Sequence, residues 1–220
     1  MRNNKFLYGK KVNFAKFLKH GSPLWFRDLY SLGRIENPII NDDESIRNQV
    51  VNSDEVSKIT INGCDFKLAD KSTIQMKLPT RRCHVLCLSK SGNDKILFDR
   101  FKADICIELE TDKLIDSIRQ GNKLKNLKII GRDVEYYKKG KFPLSHDPFE
   151  LVFKKEYEQY HIENEYRIVL FWPNDEGSTV FTTDYKEINV FGETATNGDH
   201  IEIGFDIAYL KNIIVNINEI

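Results

Sequence analysis

Apolar residues in this chain recur mostly at every second position, in short runs broken by Gly, Pro, Asn and Asp, and only a few windows have helical spacing. Residues 83–89 (CHVLCLS), 103–109 (ADICIEL) and 165–172 (EYRIVLFW) are the strongest strands. The first two are largely apolar, which places them centrally in a sheet. Runs 56–61 and 64–69 flank Asn62-Gly63, a hairpin signal because both turn positions need φ > 0. Further strands are expected at 23–27, 126–130, 133–137, 186–191, 200–204 and 212–217. Phe14, Phe17 and Leu18 predict a helix over 13–20, with Asn13 as cap and Gly21 as stop. Asp43 is placed to cap a helix over 44–52, and Thr111-Asp112 one over 112–120. Residues 93–100 read as a helical turn, 149–158 as partly helical, and 31–43 and 139–148 as loops. Many strands with a few short helices, and no internal repeat or linker, predict one α+β domain over 1–220 with a mixed or split β-sheet.

Composition supports a real core: 40% of the 220 residues are hydrophobic and 30% are charged. No stretch approaches the roughly 18 apolar residues that span a bilayer, and Met1-Arg2-Asn3-Asn4-Lys5 lacks the apolar run of a signal peptide. No membrane association is expected. Cysteines stand at 64, 83, 87 and 106. Cys83-His84-x-x-Cys87 has a zinc-like spacing, but a tetrahedral site needs two more ligands. Strand phase instead puts Cys83 and Cys87 on one apolar face as buried reduced thiols, which suits a cytoplasmic compartment.

The net charge is zero but unevenly spread: residues 142–220 hold 5 basic and 15 acidic residues, and 1–141 hold 28 and 18. Two basic clusters stand out: Arg2, Lys5, Lys10, Lys11, Lys16 and Lys19, and a second from Arg119 through Lys128 and Arg132 to Lys141. Such clusters attract phosphates; they are also what a solvated surface looks like.

The most distinctive segment is Glu163-Asn164-Glu165-Tyr166-Arg167, running into an apolar strand. Glu163, Glu165 and Arg167 share a side-chain phase. Charges entering a buried strand must pair, so Glu165 and Arg167 can be a structural ion pair. The alternative is a carboxylate facing a cleft, where it would accept a hydroxyl hydrogen bond or stabilise positive charge. Ser89-Lys90-Ser91-Gly92 follows a strand end and is either a polar turn or a ribose or phosphate contact. Trp25-Phe26-Arg27 offers either core aromatics or a stacking surface beside a cation. The acids Asp42, Asp43 and Glu44 suit either a metal or a helix start. Walker, GxGxxG and GxSxG motifs are absent.

The order of Gly21-Ser22-Pro23-Leu24-Trp25-Phe26-Arg27, Asn41-Asp42-Asp43-Glu44, Val85-Leu86-Cys87-Leu88-Ser89-Lys90-Ser91 and Phe153-Lys154-Lys155 through Glu163-x-Glu165-Tyr166-Arg167 resembles a widespread bacterial family of domains of unknown function. More distantly, it is similar to compact ADP-ribosyltransferase toxins. That resemblance implies an enzyme using NAD to modify a nucleic acid or protein acceptor, with no metal. It would make Glu165 the catalytic acid and Glu163 its acceptor-orienting partner. Ser89 and Ser91 would support the NAD pocket, and Arg27, or alternatively Tyr8, would hold the NAD phosphates or ribose, with the Trp25 face beside them as the stacking surface for the cofactor. It also implies a toxin or phage-defence role, with an antitoxin or defence-system partner. The competing expectations are a metal-dependent nuclease toxin built on Asp42, Asp43, Glu44, Glu163 and Glu165, and a non-catalytic binding module.

Overall fold

The computed structural model describes residues 3–21, 23–34, 44–54, 56, 58–61, 63–121, 127–138, 147–173, 179–181, 187–189, 191 and 200–220. The chain opens with β1 (Asn4–Gly9), which the sequence reading did not place, and turns into α1 (Lys11–His20). The helix starts two residues before Asn13. Its first N–H, on Lys11, donates to the Asp104 carboxylate at 2.5 Å, a cap from a distant strand end. It stops at Gly21, whose φ of 66° is the left-handed conformation a non-glycine residue resists.

Next come β2 (Leu24–Asp28) and a 3-10 turn over Leu29–Arg34. The expected helix over 44–52 is instead β3 (Ile46–Asn52), and Asp43, its supposed cap, lies outside the described residues. The reason is a long-range partner: β3 pairs along its whole length with β6 (Thr73–Pro79). Between them stands the hairpin of β4 (Lys58–Ile61) and β5 (Cys64–Lys67), with Gly63 at φ 80° as the turn chemistry requires; Asn62 lies outside the described residues.

The middle of the chain follows expectation: β7 (His84–Ser89), α2 (Lys95–Phe101) capped by Asp94, β8 (Ile105–Glu110), α3 (Thr111–Gly121), β9 (Lys128–Asp133) and β10 (Glu135–Tyr137). Then come α4 (Pro148–Leu151), β11 (Lys154–Glu156), α5 (Tyr157–Tyr160), a 3-10 turn over His161–Glu163, and β12 (Glu165–Phe171). The chain ends through β13 (Thr179–Phe181), β14 (Glu187–Asn189), β15 (His200–Ile203), α6 (Ile207–Ile213) and β16 (Ile214–Glu219).

The fold is α+β, built on an eight-stranded sheet whose described pairs are all antiparallel. Among the described residues, the parallel pairing is that of β10 with β11. The large sheet splits at β7. One edge of β7 pairs with β12 from His84↔Leu170 to Ser89↔Glu165. Its other edge is shared: β2 takes His84 and Val85, and β1 takes Ser89. Leu86, Cys87 and Leu88 lie between these two attachments, and there β1 and β2 diverge.

Alternation along the strands sorts side chains between two cores. Leu86, Leu88, Ile168 and Leu170 join a cluster with Phe17, Leu114 and Ile213 from α1, α3 and α6. Val85, Val169 and Phe171 join Leu29, Val152 and Phe153 on the other face. Cys83 is buried on that second face as expected, but Cys87 is not. Its side of the strand opens where the sheet splits. All four cysteines are free thiols. Among the described residues no helix is long and apolar enough to cross a membrane.

Candidate functional site

The split in the sheet is a cleft of about 360 Å³. Its floor is made by the start of β12 and the turn before it. Asn164 takes a left-handed φ of 44° there, and its backbone carbonyl accepts from Lys90 N at 2.8 Å. This tight turn carries Glu163 back beside Glu165, so both carboxylates face inward. Ser89 locks the turn: its hydroxyl donates to the Glu163 carbonyl at 2.8 Å and accepts from Ser91 N at 3.0 Å.

The carboxylates sit in a buried charge network. The Lys155 ammonium is 3.2 Å from Glu163 Oε2, 3.2 Å from Glu165 Oε2 and 3.5 Å from Glu44 Oε1. Arg167, fully buried, donates from Nε to Glu165 Oε1 at 2.7 Å, and from Nη1 and Nη2 to Glu44 at 2.5 and 2.6 Å. Its other two N–H groups reach Val152 O at 2.5 Å and Glu165 Oε2 at 3.2 Å, so every guanidinium donor is used. Arg47 holds Glu44 at 2.6 Å, and Arg100 holds Glu163 at 2.8 and 2.9 Å. Three carboxylates thus meet four cations.

This network fixes the protonation states. Burial alone would raise the pKa of Glu165, but Arg167 and then Lys155 outweigh it and hold the carboxyl below its ordinary value. Glu44 is pulled well below it against burial by Arg167, Lys155 and Arg47. Burial works to discharge Lys155, yet Glu165, Glu44 and Glu163 keep it firmly an ammonium. Cys87 goes the other way: the cleft walls crowded around its thiol, then the Glu165 carboxylate, raise its pKa well above the ordinary value although the residue opens onto the cleft. The floor therefore offers ionised carboxylates, a protonated lysine and a protonated thiol. It is suited to stabilising a cation or accepting a hydroxyl hydrogen bond, and it supplies neither a carboxylic acid nor a thiolate.

The walls carry the remaining candidates. Trp25, 41% exposed, stacks on His200 with ring centroids 4.5 Å apart. Its neighbour Phe26 is in the core, so the alternation of β2 splits the aromatic pair between cleft and interior. Arg27 and Tyr8 line the same cleft. The Tyr8 hydroxyl donates to Ser91 O at 2.9 Å and accepts from Asp94 N at 3.0 Å, which pins the loop after β7. Glu163, Glu165, Ser89, Arg27, Tyr8 and Trp25 therefore converge. Ser91 does not line the cleft; its hydroxyl accepts from Asn164 Nδ2 at 3.1 Å and ties the turn in place.

Lys155, Arg100 and Cys87 are site residues that sequence reasoning assigned no role, and Glu44 had only a metal or helix-start role. The one signal was Lys154-Lys155 directly after an apolar run. Of the nuclease acids, Asp42 and Asp43 lie outside the described residues, and Glu44, which does meet Glu163 and Glu165, is held by Arg167 and Arg47. Lys155 occupies the space between Glu44, Glu163 and Glu165 that a divalent ion would need. Cys83-His84 is not arranged around a metal either: His84 stacks on Phe191 at 4.9 Å and accepts from Trp172 Nε1 at 2.9 Å. Within the basic clusters, Lys10 pairs with Asp104, Lys11 with Glu219, Arg119 with Asp116 and Arg132 with Glu150.

No family model, curated protein or solved structure matches this chain, so the resemblance in sequence rests on the quoted motifs alone.

Proposed function

We propose that the cleft binds NAD and supports transfer of its ADP-ribosyl group to a macromolecular acceptor. The observation that carries this reading is the convergence of Glu163 and Glu165 with Trp25, Arg27, Tyr8 and Ser89 on one split in the sheet. Trp25 gives a planar face for an aromatic ring and Arg27 a charge for a phosphate. A cavity of about 360 Å³ takes a nicotinamide ribose, and the rest of the dinucleotide would extend from the mouth. In the reaction the ribose C1′–nicotinamide bond breaks, its electron pair leaves with nicotinamide, and the acceptor's nucleophile bonds to C1′ and loses its proton. Ionised Glu165 would stabilise the oxocarbenium-like ribose electrostatically, with Glu163 orienting the acceptor. A toxin or defence effector acting in a reducing compartment fits this reading, as does an antitoxin-type partner.

One observation favours a second reading, a ligand-binding module without catalysis: both Glu165 oxygens are engaged by Arg167 and Lys155.

The test is incubation with labelled NAD and separate pools of DNA, RNA and protein, following label transfer and nicotinamide release. Because Glu165→Gln disturbs a buried ion pair, its folding is checked by thermal unfolding, and Trp25→Ala, at an exposed position, runs beside it. Turnover lost in Glu165→Gln and weakened in Trp25→Ala is expected. Folded wild-type protein that binds NAD without turnover would favour the binding module; no binding of NAD at all overturns the transferase reading.

A further inference from the structure

Helix α1 borders the carboxylate cleft. Its N-cap residue Lys10 and Asn13 line the mouth, as does Arg27 of β2. Phe17 and Leu18 turn the other side of the helix into the core. Asn13, Lys16 and Lys19, spaced by three, therefore form a solvent-facing ridge that starts at the cleft and runs along α1.

The ridge carries no acid, and no Asp or Glu occurs in residues 1–27. The acids that reach α1 serve its N-terminal end: Asp104 lies 3.6 Å from Lys10, and Glu219 lies 2.6 Å from Lys11. Glu202, opposite Trp25 in β15, is 3.8 Å from His200. The side chains of Lys16, Lys19 and Arg27 have no ion pair or hydrogen bond among the described residues. Lys16 and Lys19 are exposed and Arg27 is half-buried. The cleft floor has a different chemistry, since Glu163 and Glu165 present hydrogen-bond acceptors there. A ligand spanning both zones must be anionic along α1 and neutral where it enters the cleft.

We infer that the acceptor is a single-stranded polynucleotide whose phosphates lie along α1 on Lys16 and Lys19; this rests on the transferase reading of the cleft. A polynucleotide meets both demands. Its phosphates carry one charge per residue and pair with lysines whatever the sequence. Its bases and sugar hydroxyls are neutral and donate hydrogen bonds to carboxylates. An acidic peptide would bring its own carboxylates to Glu163 and Glu165. The strand is single because a stacked, paired base cannot enter a cleft of about 360 Å³.

Fluorescence anisotropy of labelled single-stranded DNA and RNA 12-mers, titrated with the full chain over a series of salt concentrations and without NAD, tests the surface by itself. Binding of at least one strand is expected, weakened fivefold or more at low salt in the double variant Lys16→Gln/Lys19→Gln. The plot of log affinity against log salt should also be shallower in that variant by about 1.4, at roughly 0.7 per lost phosphate contact. Lys67→Gln, at an exposed position of β5, should bind as wild type does, and thermal unfolding checks that both variants are folded. Failure of both strands to bind overturns the inference. Equal binding by the double variant, an equal loss in Lys67→Gln, or equally tight binding of the duplex 12-mer does the same. With labelled NAD added, label passing to the protein pool alone also overturns it while leaving the transferase reading intact. Strand binding on α1 without NAD turnover overturns the acceptor role and points back to the binding module.

Discussion

The Lys155 ammonium lies 3.2 Å from the Glu165 carboxylate, at the meeting point of three buried acids. Charges this deep depend on one another, since removing one member leaves its partners desolvated and unpaired. Lys155→Met should therefore destabilise the protein by about 3–5 kcal/mol. The midpoint of urea unfolding measures this; a loss under about 1 kcal/mol, as for an exposed pair, would show that water reaches the network.

Acid should weaken the fold in two stages. His84 is buried and neutral, its pKa lowered from 6.5 to about 3 by burial and then by Arg82 and His200. Between those values the unfolded chain binds the proton and the folded one does not, so stability falls as pH drops below 6.5. At pH 5 the loss is about 2 kcal/mol. Glu165 and Glu44, both depressed, add their loss only below their ordinary value of 4.5. Chemical denaturation across pH 4–7 should show the first stage, and His84→Gln should abolish it.

Cys87 opens onto the cleft but its thiol is held protonated. A thiol reagent should modify exposed Cys64 first and Cys87 slowly, with a rate that climbs in alkaline buffer, while buried Cys83 stays unreacted. NAD bound in the cleft should slow Cys87 further. Peptide mapping of the modified sites reads all of this, and fast labelling of Cys87 at neutral pH would contradict the protonation state.

Trp25 is the exposed tryptophan of the cleft, whereas Trp172 is buried. Stacking on a ligand ring should quench Trp25 emission, and Trp25→Ala should weaken binding by about 1–3 kcal/mol, in the range of base–aromatic stacking. A titration followed by fluorescence, repeated on the variant, decides this.

Gly21→Ala should cost about 1–3 kcal/mol. The position has φ 66°, and a Cβ would lie 2.3 Å from the Phe205 carbonyl. Its effect belongs to thermal stability, with ligand binding per folded molecule unchanged.

The sequence by itself determined what depends on near neighbours. Period-two runs placed β7, β8 and β12, Asn62-Gly63 placed the hairpin, Gly21 ended α1, and the shared phase of Glu163, Glu165 and Arg167 announced charges converging at a strand start. Tertiary structure decided the rest. Residues 46–52 became a strand because β6 lay opposite, overriding the cap-like acids before them. Strand β1 and helix α6 are defined by what they pack against, and their local patterns are weak. The cleft exists because β1 and β2 attach to the same edge of β7 at opposite ends, which also exposes Cys87. Lys155, Glu44 and Arg100 joined the site from distant segments, because pairing of buried charges is set by proximity in the folded chain and leaves no periodic trace along it.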